Sequence, residues 1–293
     1  MDLFVPTLSQ GLLWSILALG VYLTFRVLDI ADLTVEGSFP LGAAVAARLI
    51  DGGSAPVFAI FAACLAGMCA GAVTGWLTTK LKIPALLAGI LTMIALYSVN
   101  LRVMGKANLS LLRRDTIFTG FSGLFADRQL AVLLVGCVAV LLLSLLFYWF
   151  FGTEIGAAIR ATGFNPHMIR ANGVNTDVTV ILGLLLSNGL VAISGALVAQ
   201  SNGFADVGMG VGTIVIGLAS VIIGEVLFGA DGFLICLISV ILGSVVYRAV
   251  IALVLEMGMP PNDLKLFTAI LVGAALALPL LQKKLQTARK AVK

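Results

Sequence analysis

The sequence predicts an all-α, polytopic membrane protein with about nine transmembrane segments, built as two inverted four-helix units with broken helices and a helical knob on one side. Three observations carry this. Of the 293 residues, 60% are hydrophobic and 11% charged, against a soluble norm near half apolar and a quarter charged. The apolar residues fall in long runs, and a membrane helix needs about 20 of them to cross about 30 Å of hydrocarbon. Two shorter runs open on acidic, glycine-bearing sequence, which is not how a simple span begins. A composition this apolar excludes a soluble enzyme.

Windows bounded by charge or by Gly and Pro fall near 8–26, 38–50, 56–79, 84–103, 130–151, 177–200, 211–228, 232–255 and 264–281. The opening stretch MDLFVPTLSQGLLWSILALGVYL lacks the basic region and small-residue cleavage site of a secretory signal, so it is expected to stay as the first span. Cys64, Cys69, Cys137 and Cys236 lie inside apolar runs without CxxC spacing and read as packing residues. His167 is the only histidine, which excludes a histidine-rich metal site. The formal charge of +4 comes from scattered Lys and Arg and not from the basic stripe that nucleic acid requires. Gly67, Gly71 and Gly75 form a GxxxGxxxG stripe that lets another helix approach closely, within or between subunits.

The second span follows LDIADLTVEGSFPLGAAVAARLI, where Asp29, Asp32 and Glu36 stand among apolar residues and Gly37 and Pro40 are expected to interrupt the helix. The seventh follows SNGFADVGMGVGTIVIG, with Asp206 and Gly203, Gly208, Gly210 and Gly212. Irregular chain at membrane depth must be buried in protein or line a cavity. Ala31-Asp32 and Ala205-Asp206 each open a glycine-bearing stretch into a short helix, followed by a long span and a proline-led segment. Residues 1–104 and 177–281 therefore read as equivalent units of one membrane domain, 1–293. They are joined by 105–176, which holds an outer segment, the fifth span and a cytoplasmic loop, and are followed by a tail, 282–293. An odd number of crossings separates the units, so the second is upside down. Inverted repeats with broken helices are a recurring transporter plan, and the breaks point to the path.

Asp32, Thr34, Glu36 and Ser38 at the first break, with Asp206 and Thr213 at the second, are the leading substrate-pathway candidates. Thr92, Asn100, Ser187 and Asn188, polar positions in apolar spans, stand second. Interhelical hydrogen bonding, worth about 0.6 kcal/mol on average, is the competing reading for these four. Asp32 and Glu36 can equally cap the short helix that follows, or serve as a cation or proton site, as acids at membrane depth often do.

Lys and Arg favour the cytoplasmic side. With the C-terminus inside, ten fall inside and seven outside, Arg248 lying within a span. The N-terminus is then outside, and 104–129 is the longest outer segment, its mixture of charge with Leu and Phe suiting the membrane interface. Residues 152–176 differ from every other connection. Thr153 can cap a helix whose Glu154 suits the positive end of the dipole, and Gly163 can stop it. Asn165 and Pro166 then start a second short helix that Gly173 ends. Two capped short helices make a rigid knob, with a helix resting on lipid heads as the alternative.

The succession LDIADLTVEGSFPLGAAVAA, GAVTGWLTTKLKIPALLAGILTM, EIGAAIRATGFNPHMIRANGVN and VGMGVGTIVIGLASVIIG resembles the permeases of branched-chain amino acid and ribose type ABC importers over nearly the whole chain. The knob matches most specifically, at Ile159 to Gly163, Asn165, Arg170, Gly173 and Asn175. The resemblance implies that Asn165, Pro166, His167, Met168, Ile169, Arg170 and Gly173, with Arg160 and Gly163 ahead of them, form a coupling helix seated in a groove on a cytoplasmic ATPase. Three departures from the ribose members argue against a sugar: no extra N-terminal span, Glu36 beside Gly37, and Thr213 where they carry an acid. ADLTVEGSFPLGAA is most similar to small permeases paired with binding proteins for aromatic amino acids such as tryptophan and tyrosine.

No G-x-x-x-x-G-K-[ST] loop occurs, so nothing cradles nucleotide phosphates. No cofactor is expected on this chain, ATP and Mg belonging to a partner ABC ATPase dimer. Two ATPases closing on each other need two knobs, which implies a second permease chain, most simply a homodimer. The resemblance adds an extracytoplasmic substrate-binding protein and a bacterial inner-membrane location, with lipid but no nucleic acid or metal as partners. The expected mechanism is alternating access biased by ATPase closure. No substrate bond is broken, so the chain is not an enzyme. An ion-coupled secondary transporter using Asp32 and Glu36, or a membrane scaffold without a path, are the other classes open on the residues alone.

Overall fold

A computed structural model describes residues 4–258 except 113, 123–127 and 231, together with 263, 266–270 and 272–273. Helix α1 (Phe4–Tyr22) runs on through a π-type turn, Leu23–Val27, and stops. Irregular chain at 28–34 leads into α2 (Val35–Asp51), followed by α3 (Pro56–Thr79) and α4 (Ala85–Met104). Strand β1 (Asn108–Ser110) and the short α5 (Ile117–Ser122) precede α6 (Arg128–Phe151), which ends in two short helices, α7 (Glu154–Phe164) and α8 (Pro166–Ala171). Then come α9 (Thr176–Asn202), strand β2 (Phe204–Asp206), a 3-10 turn at Val207–Gly210, α10 (Thr213–Phe228) and α11 (Phe233–Glu256).

Among the described residues seven helical stretches are long and apolar enough to cross a membrane, fewer than the nine expected. The second expected span is α2, whose 17 residues are short because irregular chain at 28–34 occupies part of the depth. The ninth, 264–281, lies largely outside the described residues, as does the tail.

Helices α1 and α9 carry the longest runs of buried residues and lie against each other. Ser187 Oγ donates to the Gly20 carbonyl and Ser194 Oγ to the Leu13 carbonyl, both at 2.8 Å. Helix α3 lies along α9 on its glycine stripe, so that stripe packs within the subunit. A methyl group on Gly67 or Gly71 would run into the carbonyls of Asn188 or Leu184. On the other side α11 lies along α1, where a methyl on Gly11 would stand 2.9 Å from Val245 Cα and Ser244 Oγ donates to the Gly11 carbonyl at 2.9 Å. Exchanging α1 with α9, α2 with α10 and α3 with α11 converts each of these packings into another: α3 on α9 into α11 on α1, and α2 on α9 into α10 on α1.

Three local expectations need correction. Gly37 and Pro40 do not interrupt α2. The break lies ahead of it, and Gly37 lets α4 approach, since a methyl there would stand 2.8 Å from Leu96 Cδ1 and 3.2 Å from Met93 Cα. Pro40 sits in the second turn, where its missing N–H withholds the usual helix donor from the Glu36 carbonyl. Gly163 does not stop α7, which runs to Phe164. A methyl on Gly163 would run into the Val27 carbonyl oxygen, so glycine there lets α7 rest on the end of α1.

The fold is not wholly α. Strand β1 pairs antiparallel with β2, Leu109 opposite Ala205, which satisfies the chain that leaves α9. Leu111 N–H donates to the Gly203 carbonyl at 2.8 Å, Ile117 N–H to Gln200 Oε1 at 3.0 Å, and Arg114 pairs with Asp51 at 2.9 Å. Phe118 is fully buried.

Substituting Gly71→Val is expected to lower the unfolding free energy by about 1–3 kcal/mol through overpacking, whereas Gly120→Ala, with open space around it, leaves it unchanged. Thermal melts in detergent measure both.

Candidate functional site

The first break closes on a buried polar cluster. Asp32 is 2% exposed. Its Oδ1 accepts from the Thr34 N–H at 2.9 Å and its Oδ2 from Asn188 Nδ2 at 2.7 Å. Ser38 Oγ donates to Asn188 Oδ1 at 2.6 Å. Asn188 stands about 18 Å along α9 from its first residue, so this cluster lies near mid-membrane. The Thr34 and Thr74 hydroxyls meet at 2.7 Å, Thr74 donates to Thr92 Oγ1 at 2.9 Å, and Asn100 Nδ2 donates to the Gly37 carbonyl at 3.2 Å. The fold thus gathers Asp32, Thr34, Ser38, Thr92, Asn100 and Asn188, on three helices and the break. Ser187, also on α9, is buried nearby against α1. Asp32 does not cap α2 with its side chain. It organises the turn one residue earlier.

The second break reaches the first from the opposite side. Gly212, at φ +85°, donates its N–H to Glu36 Oε1 at 3.1 Å. Gly210 fits where a methyl would run into the Glu36 carbonyl and stand 2.7 Å from Pro40 Cδ. The starts of α2 and α10 therefore meet at Glu36. Beside that junction lies a cavity of about 330 Å³, lined by Glu36, Met93, Tyr97, Asn100, Val207 and Val211 among others. Asn100 Oδ1 is buried on its wall without a hydrogen-bond donor among the described residues. Asp206 and Thr213 do not line it. Asp206 Oδ1 accepts from Gly208 N–H at 2.7 Å and Oδ2 from Asn108 Nδ2 at 3.2 Å, while Thr213 Oγ1 donates to the Gly210 carbonyl at 2.8 Å. Met93 and Tyr97 are not legible as site residues, because an apolar or aromatic side chain within a span reads as packing.

The knob is capped as its sequence requires. Thr153 Oγ1 accepts from Gly156 N–H at 3.3 Å, and Asn165 Oδ1 accepts from His167 and Met168 N–H at 3.1 and 3.0 Å, with Pro166 at the first position of α8. Gly173, at φ +83°, follows its end. Ile169 is buried and Arg170 turns back, donating to Thr176 Oγ1 and standing 3.7 Å from Asp177. Asp177 also faces Lys80 at 3.5 Å and Lys82 at 4.0 Å. The outward side of the knob is Phe164, 91% exposed, with His167 and Met168. Arg160 lies elsewhere, its guanidinium 5.3 Å over the Phe233 ring at the start of α11. Between knob and first break is a second cavity of about 360 Å³. Two of its lining residues, Asp29 (φ 55°) and Lys82 (φ 56°), hold the left-handed backbone that only glycine adopts without cost. No group of three His, Cys, Asp or Glu suited to a metal occurs among the described residues.

A family model described as the permease component of branched-chain amino acid transport systems matches residues 3–276. The chain belongs to this permease family. The permease is 41% identical over 273 residues to a tyrosine transport system permease protein of Clostridioides difficile (strain R20291), covering 93% of this chain and 90% of that one. It is 36% identical over 285 residues to an uncharacterized protein of Rickettsia prowazekii (strain Madrid E), covering 94% and 98%. It is 27% identical over 238 residues to an autoinducer 2 import system permease protein of Salmonella typhi, covering 80% and 66%. Among solved structures, a metal-chelate type ABC transporter in an inward-facing conformation shares the fold, with a TM-score of 0.50, 13% identity and coverage of 96% and 85%. The permease is accordingly a multi-pass membrane protein of the ABC transporter class, as the sequence implied.

Asn188→Ala removes a donor from a buried carboxylate and is expected to cost about 1–3 kcal/mol. Ser38→Ala, which leaves the Asp32 contact in place, costs less. Melting temperatures of the two purified variants compare them.

Proposed function

We propose that the permease passes an aromatic amino acid across the inner membrane at the junction of its two breaks, as one of two identical subunits worked by a separate ATPase dimer. The observation that carries this is the cavity beside Glu36. A carboxylate held by one backbone N–H and an unsatisfied Asn100 Oδ1 stand on one wall, and Met93, Tyr97 and Val211 offer apolar surface around them. An α-ammonium group fits the first pair and an aromatic ring the second. The similarity to a tyrosine transport system permease supports the same substrate class.

In this reading Asp32, Thr34, Ser38, Thr92, Ser187 and Asn188 position the first break, Asp206 and Thr213 the second, and Glu36 with Asn100 meets the substrate. The N-terminus lies outside, the C-terminus in the cytoplasm, and a binding protein delivers substrate to the β1–β2 side. The exchange symmetry of the helix packing supports two inverted units, so that tilting one against the other opens the Glu36–Gly212 junction to either side in turn. Phe164, His167 and Met168 enter the ATPase groove, while Ile169 and Arg170 anchor α8. The displacement reaches the first break where Gly163 rests on Val27 and where Asp177 ties α8 and α9 to the α3–α4 turn. Energy input selects a packing because the ATPase grips one state better than the other.

Two measurements test this. In proteoliposomes holding the permease, its ATPase and its binding protein, Glu36→Gln is expected to lower tyrosine uptake about tenfold, the loss of one charge-assisted contact, while Asp206→Asn changes it little. Equal uptake by the Glu36 variant removes that residue from the path. Phe164→Ala with Met168→Ala is expected to abolish co-purification of the ATPase. Undiminished co-purification, or uphill uptake by the permease alone on a proton or sodium gradient, overturns the coupling.

A further inference from the structure

At the knob end, α6 and α11 part around a groove of about 830 Å³. Its walls follow from the sequence. Helix α6 ends in LLFYWFF, which leaves Tyr148 and Trp149 exposed on the groove, Trp149 at 68%. Aromatic side chains at the end of an apolar span sit at headgroup level. Phe233 forms the floor, fixed by Phe147 and Phe151 at ring separations of 6.1 and 5.2 Å. Over the same ring lies the Arg160 guanidinium.

Arg160 differs in charge balance from its neighbours. Arg26 pairs with Glu225, and Lys80, Lys82 and Arg170 all face Asp177, whereas Arg160 has no ion-pair partner among the described residues. The groove therefore combines a cation without an ion-pair partner among the described residues, an aromatic rim at headgroup level, and apolar walls from Leu145, Leu234 and Ile235 that continue along the hydrocarbon-facing helices. A free anion would gain nothing from those walls. An amphiphile with a negative head fits all three, and basic pockets between membrane helices select such headgroups.

We propose that this groove binds one anionic phospholipid from the leaflet on the knob side. The phosphate rests on Arg160, the glycerol region beside Trp149, and an acyl chain along Leu145 and Leu234. Because Arg160 belongs to α7, the lipid ties the base of the knob to the membrane. The site rests on membrane embedding alone and not on the choice of substrate or motor.

The test uses the full-length permease without partners, in nanodiscs of phosphatidylcholine doped with phosphatidylglycerol, with retained lipid counted by native mass spectrometry. Phosphatidylglycerol is expected to be retained over phosphatidylcholine. Arg160→Gln is expected to lower that retention about fivefold, the worth of one cation near an anionic surface. Arg160→Lys keeps most of it, Trp149→Ala lowers it, and Arg102→Gln, at the other end of the molecule, leaves it unchanged. Monodisperse elution at the wild-type position checks folding. Equal retention of the two lipids, or unchanged retention in both Arg160→Gln and Trp149→Ala, overturns the proposal. So does displacement by millimolar glycerol 3-phosphate, which would mark a site for soluble phosphate. Since no ATPase or amino acid is present, failure here leaves the transport reading standing, and failure of uptake leaves this one.

Discussion

A helix that stops inside a membrane leaves amide and carbonyl groups that lipid cannot satisfy, and the bond between Asp32 and Asn188 is how this permease meets that constraint. The carboxylate orders the turn before α2 with one oxygen and fastens it to the middle of α9 with the other. Ser38 closes the other side of the same amide. Remove that knot and the start of α2 has no fixed depth, so neither Glu36 nor the cavity beside it has a fixed place. The second break is held by an Asp206 turn and a strand pair, and borrows its alignment from the first through Gly212 and Gly210.

Much of this is legible in the amino-acid sequence alone, for a physical reason. Hydrocarbon imposes a length and a composition on every crossing, so the long spans declare themselves, and acids among apolar residues betray the places where the rule is broken. Capping chemistry is equally local, which is why Thr153, Asn165 and Pro166 mark the two knob helices. The features that stay hidden depend on distant partners. Gly37 and Gly163 look like helix breakers, yet each is a place where another segment comes close, α4 against the first and the end of α1 against the second. Strands of three residues have no periodicity to detect. Met93 and Tyr97 carry side chains that any span uses for packing, and only the meeting of two breaks beside them distinguishes them from lipid-facing neighbours. Arg170 matches the family pattern of the coupling loop, but the pattern does not say that its guanidinium turns inward to Thr176 and Asp177.

The knob and the junction are linked by few contacts, and these share a character. Gly163 on Val27 is a backbone-to-backbone touch, and Asp177 gathers three cations from two segments. Neither yields gradually. Close-packed surfaces tend to hold one arrangement or another, which suits a subunit that has to alternate. Asp29 and Lys82, wound in the costly left-handed sense on the same cavity, lie where such an alternation would release or store backbone energy.

The π-type turn at Leu23–Val27 has its own effect. One residue more per turn rotates everything after it by about 100° relative to a regular helix. Arg26 can therefore face Glu225 on α10 while Val27 and Leu28, immediately following, address Gly163 on α7. A single widened turn lets the foot of α1 address two elements at once, α10 on one side and the base of the knob on the other.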